Sequence, residues 1–332
     1  MIRDGAAPDA IDAAALVLRA GGLVAFPTET VYGLGADATS DRAVAGIFKA
    51  KGRPSNHPLI VHIASGIKGE ESLSRFALPL PPFAEALAKA FWPGPLTLIV
   101  TRQPGVGGAA AGGQDTIGLR CPAHAVAQAL LVACAELGVP GLAGPSANRF
   151  GRVSPTTAQH VHDEFGDKLL VIDGGACEVG IESTIVDCSR GAPVLLRPGV
   201  ITRAQIETAC GQPLRNKEEL ASPDPRASGT LESHYAPSAK LRLMDARAMQ
   251  AGLDVLGADA RHIAVWSRSV LRSPSPHIVQ RRMPDDAGAS AHQLFAVLRA
   301  FDAQGVKLIW VETPPPGADW EGVRDRLQRA AA

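Results

Sequence analysis

The chain has 332 residues, and its 33 Lys and Arg balance 33 Asp and Glu, so the formal net charge is zero. This length suits two domains of roughly 150 residues each, and the 46% hydrophobic content is enough for a substantial core. Proteins that mainly grip nucleic acid carry a basic excess, so the balance argues against that role, although a local basic patch stays open.

The cysteine content and the N-terminal sequence indicate the cellular compartment. The five cysteines are an odd number and form no CxxC pair, which argues against a structural zinc site and a disulfide framework. No stretch approaches the length of an apolar membrane span, and the N terminus has no apolar signal segment. We therefore expect a soluble, cytoplasmic protein with reduced cysteines and no membrane contact.

Short apolar runs alternate with helical patterns through the first two hundred residues, which is typical of an α/β domain. Apolar spacing predicts helices over 8–20, 40–51 and 125–137, and strands over 23–26, 59–63, 96–101 and 169–172. Ser154-Pro155 has the composition of a helix start with Ser154 as N-cap, and Thr202–Gln205 has the spacing of a capping box.

The second half of the chain opens with a polar segment that is too long for an ordinary connection. The α/β rhythm then returns, with strands predicted over 239–243, 263–266 and 308–311 and helices over 291–301 and 320–330. We therefore predict a first domain over 1–210, a linker or lid over 211–238, and a small Rossmann-like α/β domain over 239–332.

Two short polar stretches are candidates for binding phosphate. Lys51-Gly-Arg53 offers two cations, and Ser146-Ala-Asn148 offers a hydroxyl and an amide. Lys and Arg meet phosphate oxygens in charge-assisted hydrogen bonds, and Ser and Asn add short neutral donors. The plainer alternative is a solvated helix end for the first stretch and a surface turn for the second.

Metal ligands are not indicated by the sequence. His160 and His162 are spaced for one helix face, but no acidic partner is evident on that face, so we expect both to be solvated. We predict no dedicated metal site made by protein ligands.

Six motifs occur in a fixed order along the chain: Phe26–Gly35 (FPTETVYGLG), Lys51–His62 (KGRPSNHPLIVH), Phe91–Thr97 (FWPGPLT), Thr116–Arg120 (TIGLR), Gly144–Asn148 (GPSAN) and Gly180–Thr184 (GIEST). This run resembles the YrdC-like threonylcarbamoyl-AMP synthases, in the long form with an additional C-terminal domain. The resemblance is dense from about residue 8 to 205 and resumes at Ser233–Pro237 (SHYAP). It implies a twisted mixed-sheet catalytic domain followed by the small α/β domain.

The resemblance also implies a reaction. L-threonine and bicarbonate would form a carbamate that attacks the α-phosphate of ATP, releasing pyrophosphate and giving threonylcarbamoyl-AMP. A tRNA threonylcarbamoyl transferase complex would then use this product to modify tRNA, with direct tRNA binding by this chain weak or absent. Mg²⁺ is expected with ATP as part of the substrate, and no tightly bound cofactor is expected.

Matching positions give the site residues that the resemblance implies. Lys51 and Arg53 would be catalytic. The ATP site would consist of Lys51, Arg53, His57, Thr116, Ser146, Asn148, Ser154, Arg197 and Tyr235. The threonine site would consist of Thr30, His62, Arg120, Gly144 and Ser183. His57 stands where many relatives have Asn, and Tyr235 would act as a lid from the linker segment.

Alternatives remain at this stage. Arg120 and Arg197 are also compatible with structural ion pairs, and His62 with a core histidine. At the level of function, the alternatives are an RNA-binding module and a carbamoyltransferase of the hydrogenase-maturation type, which would carry acylphosphatase and zinc-finger segments.

Overall fold

The computed structural model describes residues 1–219, 234–269 and 271–332. These fall into two compact units. The first contains residues 1–150 and 154–219, and the second contains 151–153 together with the described residues from 234 onward. Half of the predicted linker over 211–238, residues 220–233, lies outside the described residues.

The first unit is built on an eleven-stranded sheet in which parallel and antiparallel pairs are mixed. Its strands are β1 (Ile2–Asp4), β2 (Val24–Phe26), β3 (Gly33–Asp37), β4 (Ile60–His62), β5 (Leu96–Thr101), β6 (Thr116–Arg120), β7 (Leu142–Ala143), β8 (Leu170–Asp173), β9 (Thr184–Asp187), β10 (Val194–Arg197) and β11 (Arg215–Asn216). Their order in the sheet is β1-β8-β2-β3-β7-β4-β6-β5-β9-β10-β11. The last strand falls in the predicted linker, because residues 215–216 pair with β10 and so continue the first unit.

The helices of this unit are α1 (Pro8–Arg19), α2 (Asp41–Lys51), α3 (Gly66–Phe76), α4 (Pro82–Phe91), α5 (Ala125–Glu136), α6 (Ala158–Phe165) and α7 (Arg203–Cys210). Helix α2 begins at a side-chain cap, because Ser40 Oγ accepts the backbone N–H of Ala43 at 3.2 Å. It ends at Gly52, whose left-handed backbone (φ 66°) turns the chain out of the helix directly after Lys51.

Apolar side chains fill both faces of the sheet, which explains the apolar runs in its inner strands. On β2, Val24 and Phe26 join the core formed with α1 and α5, and Ala25 between them joins the core formed with α2 and α4. Alternate residues of a strand point to opposite faces. The sheet is therefore packed against helices on both sides.

At one end of the strands, polar residues from several strands of the sheet lie in one row. His62, the last residue of β4, pairs with Arg120, the last residue of β6. On β5, Leu98 pairs with Leu119, so the preceding residue, Thr97, lies opposite Arg120. Thr97 also pairs with Ile185 of β9, and Ile185 pairs with Arg197, the last residue of β10. Partners in one row point to one face, so this row places a histidine, a hydroxyl and two arginines together.

The second unit contains a four-stranded sheet in which every pair is parallel, in the order β12-β15-β13-β14. Its strands are β12 (Lys240–Met244), β13 (Ile263–Ser267), β14 (Val279–Arg282) and β15 (Leu308–Glu312), and its helices are α8 (Ala246–Leu256), α9 (Ala287–Ala303) and α10 (Glu321–Ala331). The predicted α/β fold class, a large mixed sheet with a small second α/β domain, is confirmed. No helix in the described part of the chain is long and apolar enough to cross a membrane.

Candidate active site

The two phosphate-binding candidate stretches meet through Lys51. Its ammonium donates to the main-chain carbonyl of Ser146 at 2.5 Å and to that of Asn148. The side chain is buried, which lowers the pKa of Lys51 well below its usual value, and the neighbouring charge of Arg53 lowers it further. The alternative of a solvated helix end is wrong for this residue.

Arg53 lies beyond the end of α2 and is also buried, at 8% exposure. Its Nη2 donates to the carbonyl of Pro58 at 3.1 Å, and its guanidinium lies 5.6 Å from the ring centroid of Phe150. The ring of His57 packs edge-on against the same phenylalanine at 5.7 Å. Arg53 and His57 are thus held on one aromatic side chain, two residues after Asn148.

Ser154 does not begin a helix. Helix α6 starts at Ala158, and its N-cap is Thr157, whose side chain accepts the backbone N–H of His160. The prediction of Ser154 as N-cap is wrong because three non-helical residues separate it from the first residue of α6. Ser154 is fully buried, and its hydroxyl donates to the Glu182 carboxylate.

A hydrogen-bonded group connects Arg197 to the sheet. The Arg197 side chain donates to the Ser183 backbone carbonyl at 3.0 Å and to the Ser183 hydroxyl at 3.1 Å. The same hydroxyl lies 2.8 Å from the Thr97 hydroxyl. Arg197 therefore fixes the serine that comes directly before β9, and Thr97 on the neighbouring strand β5 holds the same serine.

Arg120 is held by three protein groups. Its Nη2 lies 2.6 Å from a carboxylate oxygen of Glu29, Nη1 donates to Thr30 Oγ1 at 2.8 Å, and Nε donates to the Gly94 carbonyl at 3.2 Å. Arg120 therefore does form a buried ion pair, as the alternative interpretation proposed. A guanidinium has five N–H donors, so these three partners still leave donors for a ligand carboxylate.

His62 is a buried, neutral imidazole. Burial and the nearby Arg120 charge lower its pKa to about 3, while a backbone hydrogen bond with Leu142 works in the opposite direction. Its Nδ1 has no hydrogen-bond partner among the residues that the structure describes. A Cβ added to Gly144 would come within 2.8 Å of this nitrogen, so the glycine is what makes room for the ring. The site thus offers an acceptor that stays unprotonated at neutral pH.

Two of the predicted ATP-site residues take no part in these contacts. Thr116 begins β6 and shares a sheet face with Arg120, four residues and about 13 Å further along the strand. Tyr235 belongs to the second unit, where its buried ring packs against Phe295 at 5.5 Å and under the Arg326 guanidinium at 5.3 Å. Its backbone is left-handed (φ 62°), which is uncommon for a side chain of this size. Their contacts with ATP stay predictions.

The structure adds three polar residues that the sequence analysis did not assign. Glu29 pairs with Arg120, Glu182 accepts from Ser154, and Thr97 holds Ser183. All three lie inside the six motifs, so the sequence marks them as candidates. It does not reveal their partners, because each contact joins residues that are far apart in sequence.

Metal-ligating groups of the usual kind do not occur in the described ranges: no three His, Cys, Asp or Glu side chains come together. His162 has an acidic neighbour outside that helix face, because Asp167 lies 3.0 Å from its Nε2 just beyond the end of α6. The five cysteines are free, and burial raises the pKa of Cys121 to about 11 and of Cys177 to about 12.

The geometry can be compared with known proteins. A family model described as Telomere recombination matches residues 16–199, more than half of the chain. A second model, described as Threonylcarbamoyl-AMP synthase, C-terminal domain, matches residues 201–332. The chain belongs to the family of YrdC-like threonylcarbamoyl-AMP synthases. It has the long form of that family, because both models match in sequence order.

Curated relatives of this family are similar to the chain over nearly its whole length. A protein of Pyrococcus abyssi named threonylcarbamoyl-AMP synthase is 38% identical over 96% of this chain and 93% of the relative. One of Bacillus subtilis with the same name is 39% identical over 96% of this chain and 92% of the relative.

Solved structures agree with the fold. The crystal structure of the Pyrococcus abyssi protein complexed with L-threonine covers 97% of this chain and 94% of its own, with a TM-score of 0.86 and 38% identity. A variant of that protein in which a His and a Tyr are replaced by Ala covers 100% of this chain and 96% of its own, with a TM-score of 0.87 and 36% identity.

Proposed function

We propose that this chain is an L-threonylcarbamoyladenylate synthase, which makes threonylcarbamoyl-AMP from L-threonine, bicarbonate and ATP and releases pyrophosphate. The observation that carries the proposal is the bond from Lys51 to the turn at Ser146 and Asn148. It brings two distant polar motifs together in a chain whose full-length relatives carry the name of this enzyme.

The chemistry needs positioning and charge more than covalent help. The amine of threonine adds to carbon dioxide derived from bicarbonate, and the carbamate oxygen then attacks the α-phosphorus of ATP. The bond from that phosphorus to the bridging oxygen breaks, and pyrophosphate leaves with the electron pair. A protein assists such a transfer by aligning the reactants and neutralising the phosphate charge. Buried cations such as Lys51 and Arg53 are suited to that task.

For the nucleotide, we assign the polar groups around the Lys51 turn. The Ser146 hydroxyl and the Asn148 amide lie on the turn that Lys51 holds, Arg53 follows α2, and Arg197 ends β10. The resemblance also assigns Ser154 to the ATP site, and its hydroxyl donates to the Glu182 carboxylate. His57, Thr116 and Tyr235 are assigned to ATP by the resemblance alone.

For threonine, we assign the residues at the end of β4 and β6. The donors that Arg120 has left would bind the carboxylate in a forked pair. The unprotonated Nδ1 of His62 would accept from the amine, and the hydroxyls of Thr30 and Ser183 would receive the amine and the threonine hydroxyl. Gly144 contributes space for the His62 ring.

We place the reaction in the cytoplasm, with Mg²⁺ entering on ATP and the product passing to a tRNA threonylcarbamoyl transferase complex. Five cysteines without a disulfide framework are typical of a reducing compartment. A balanced net charge supports a small-molecule enzyme that binds tRNA weakly or not at all.

The test is a reconstituted synthesis. The protein is incubated with ATP, L-threonine and ¹³C-bicarbonate, and pyrophosphate is measured together with a ¹³C-labelled adenylate. We expect pyrophosphate only when all three substrates are present, and Arg53→Ala is expected to reduce it while Lys49→Ala, an exposed cation on the same helix, leaves it unchanged. Pyrophosphate release that does not depend on threonine or on bicarbonate would refute the proposal.

A further inference from the structure

The hydrogen bond between Ser154 and Glu182 is a buried pair of oxygen ligands. Ser154 is fully buried and Glu182 is 7% exposed, and the serine hydroxyl donates to the carboxylate. A hydroxyl has a single hydrogen to donate. While the serine donates this hydrogen to Glu182, Ser154 Oγ can act towards other groups only as an acceptor or as a metal ligand.

This arrangement conflicts with direct phosphate binding by Ser154. Phosphate oxygens accept hydrogen bonds, so they need donors and are repelled by lone pairs and by a neighbouring carboxylate. The chemistry of the pair suits a hard cation instead. Magnesium binds to hard oxygen ligands, and it commonly takes only one or two carboxylates from a protein and the rest from phosphates and water.

The neighbours of the pair are the cations that we assign to the phosphates. The Glu182 charge raises the pKa of Lys51, so the carboxylate lies within electrostatic range of that ammonium. The next residue along the chain is Ser183, to which Arg197 donates. An anionic group placed among phosphate-binding cations would weaken nucleotide binding unless a metal ion lay between it and the phosphates.

We propose that Ser154 Oγ and the Glu182 carboxylate are the protein ligands of the Mg²⁺ ion that accompanies ATP. This inference rests on the proposed function and deepens it, because it assigns Ser154 to the metal and leaves the phosphates to Lys51, Arg53 and Arg197. The ion would join the carboxylate to the triphosphate, so that metal and nucleotide bind cooperatively.

The experiment measures that cooperativity by titration calorimetry on the full-length protein. The probe is α,β-methylene-ATP, which cannot undergo the reaction, and its Kd is measured with Mg²⁺ and again with EDTA. The ratio of the two constants in the wild type should be about ten-fold or more in favour of Mg²⁺. In Glu182→Gln the ratio should fall towards one, with binding in EDTA equal to or tighter than that of the wild type, because a negative charge has gone.

Glu164→Gln is the matched control, because the Glu164 carboxylate also raises the pKa of Lys51. It should keep the wild-type ratio. Ser154→Ala should lower the ratio and leave the EDTA constant unchanged, whereas a serine that donates to phosphate would lose affinity in EDTA. Thermal unfolding of each variant shows whether it is folded, and Glu182→Asp, which keeps the charge, should recover part of the ratio.

Two results separate this inference from the proposed function. If the wild type makes the adenylate and Glu182→Gln keeps the full ratio, the metal assignment is wrong and the function stands. If the wild type binds the nucleotide neither with Mg²⁺ nor with EDTA, the proposed function fails, and the metal assignment fails with it.

Discussion

The ammonium of Lys51 donates to the carbonyl oxygen of Ser146 at 2.5 Å, although the two residues are 95 positions apart in sequence. A second bond from the same nitrogen reaches the carbonyl of Asn148. A buried cation that donates to two carbonyls fixes the turn between them, and so fixes the directions of the side chains that the turn carries. Lys51 is therefore a positioning residue as well as a source of positive charge.

Replacing Lys51 with Met removes both bonds and keeps most of the side-chain volume. The buried Asn148 carbonyl then loses this donor, and the Ser146 carbonyl keeps only the backbone N–H of Asn148, so we expect the free energy of unfolding to fall by about 2 kcal/mol. The kcat/KM of synthesis should fall about 30-fold or more, which corresponds to about 2 kcal/mol of transition-state stabilisation. Urea unfolding and pyrophosphate release measure the two effects.

The control is Lys49→Met, because Lys49 is exposed on the same helix. It should change neither stability nor rate. A Lys51→Met protein with normal stability and a normal Kd for ATP would contradict a positioning role.

Much of the fold of the first unit could be predicted from the sequence, because its strands and helices carry strong local signals. The spacing over 40–51 and 125–137 predicted helices that the structure has as Asp41–Lys51 and Ala125–Glu136. Short strands such as β7, with two residues, and β1 give almost no periodic signal, so the sequence analysis missed them. Their existence depends on tertiary pairing with β4 and β8.

The candidate site could be predicted as a set of residues but not as a set of contacts. Motif order singled out Arg120 and His62, and the structure pairs them across two parallel strands. The partner of Arg120, Glu29, could not be assigned, because nothing in the sequence says which distant carboxylate meets a given guanidinium. Ser154 was misplaced for a local reason: Ser followed by Pro resembles a helix start, but Thr157 has the cap.

Replacing Glu29 with Gln leaves the buried Arg120 guanidinium without its counter-charge. Breaking a buried ion pair from one side typically costs about 3–5 kcal/mol, so we expect a marked loss of stability. The orientation of Arg120 also loosens, and the KM for L-threonine should rise about ten-fold, while the KM for ATP stays the same. Steady-state kinetics with each substrate varied in turn separates the two constants.

Asp187→Asn provides the comparison for that experiment. Asp187 is fully buried and pairs with Arg190 at 3.0 Å, at the end of β9 away from Ser183. This variant should lose stability without a change in the KM for threonine. Equal changes of KM in both variants would show that the Glu29 effect is general loosening of the fold.

His62 should make stability depend on pH in acid. Its pKa is about 3 in the folded protein, below the ordinary value of about 6.5, so between these values the unfolded chain binds a proton that the folded chain does not. The contribution is fully present above pH of about 6.5 and is lost as the pH falls towards 3, by about 1.4 kcal/mol per pH unit. Urea unfolding across this range should show that the free energy of unfolding falls less steeply with decreasing pH in His62→Gln than in the wild type.

His292→Gln controls for the removal of a histidine, because His292 is exposed on α9. It should leave the slope unchanged. The same low pKa predicts that the KM for threonine shows no transition near pH 6.5 from His62. An apparent pKa close to 6.5 that disappears in His62→Gln would mean that the imidazole titrates normally.

Gly144→Ala tests the packing of the His62 ring. The new Cβ would lie 2.8 Å from Nδ1 of the imidazole and 3.2 Å from the Phe26 ring, both closer than van der Waals contact allows, so the imidazole must move. We expect the KM for L-threonine to rise about ten-fold and stability to fall by about 1–3 kcal/mol, as is usual for overpacking. Gly108→Ala is the control, because a Cβ there meets nothing within 4 Å and should change neither quantity. If Gly144→Ala lowers stability but leaves the KM for threonine unchanged, His62 belongs to the core and not to the threonine site.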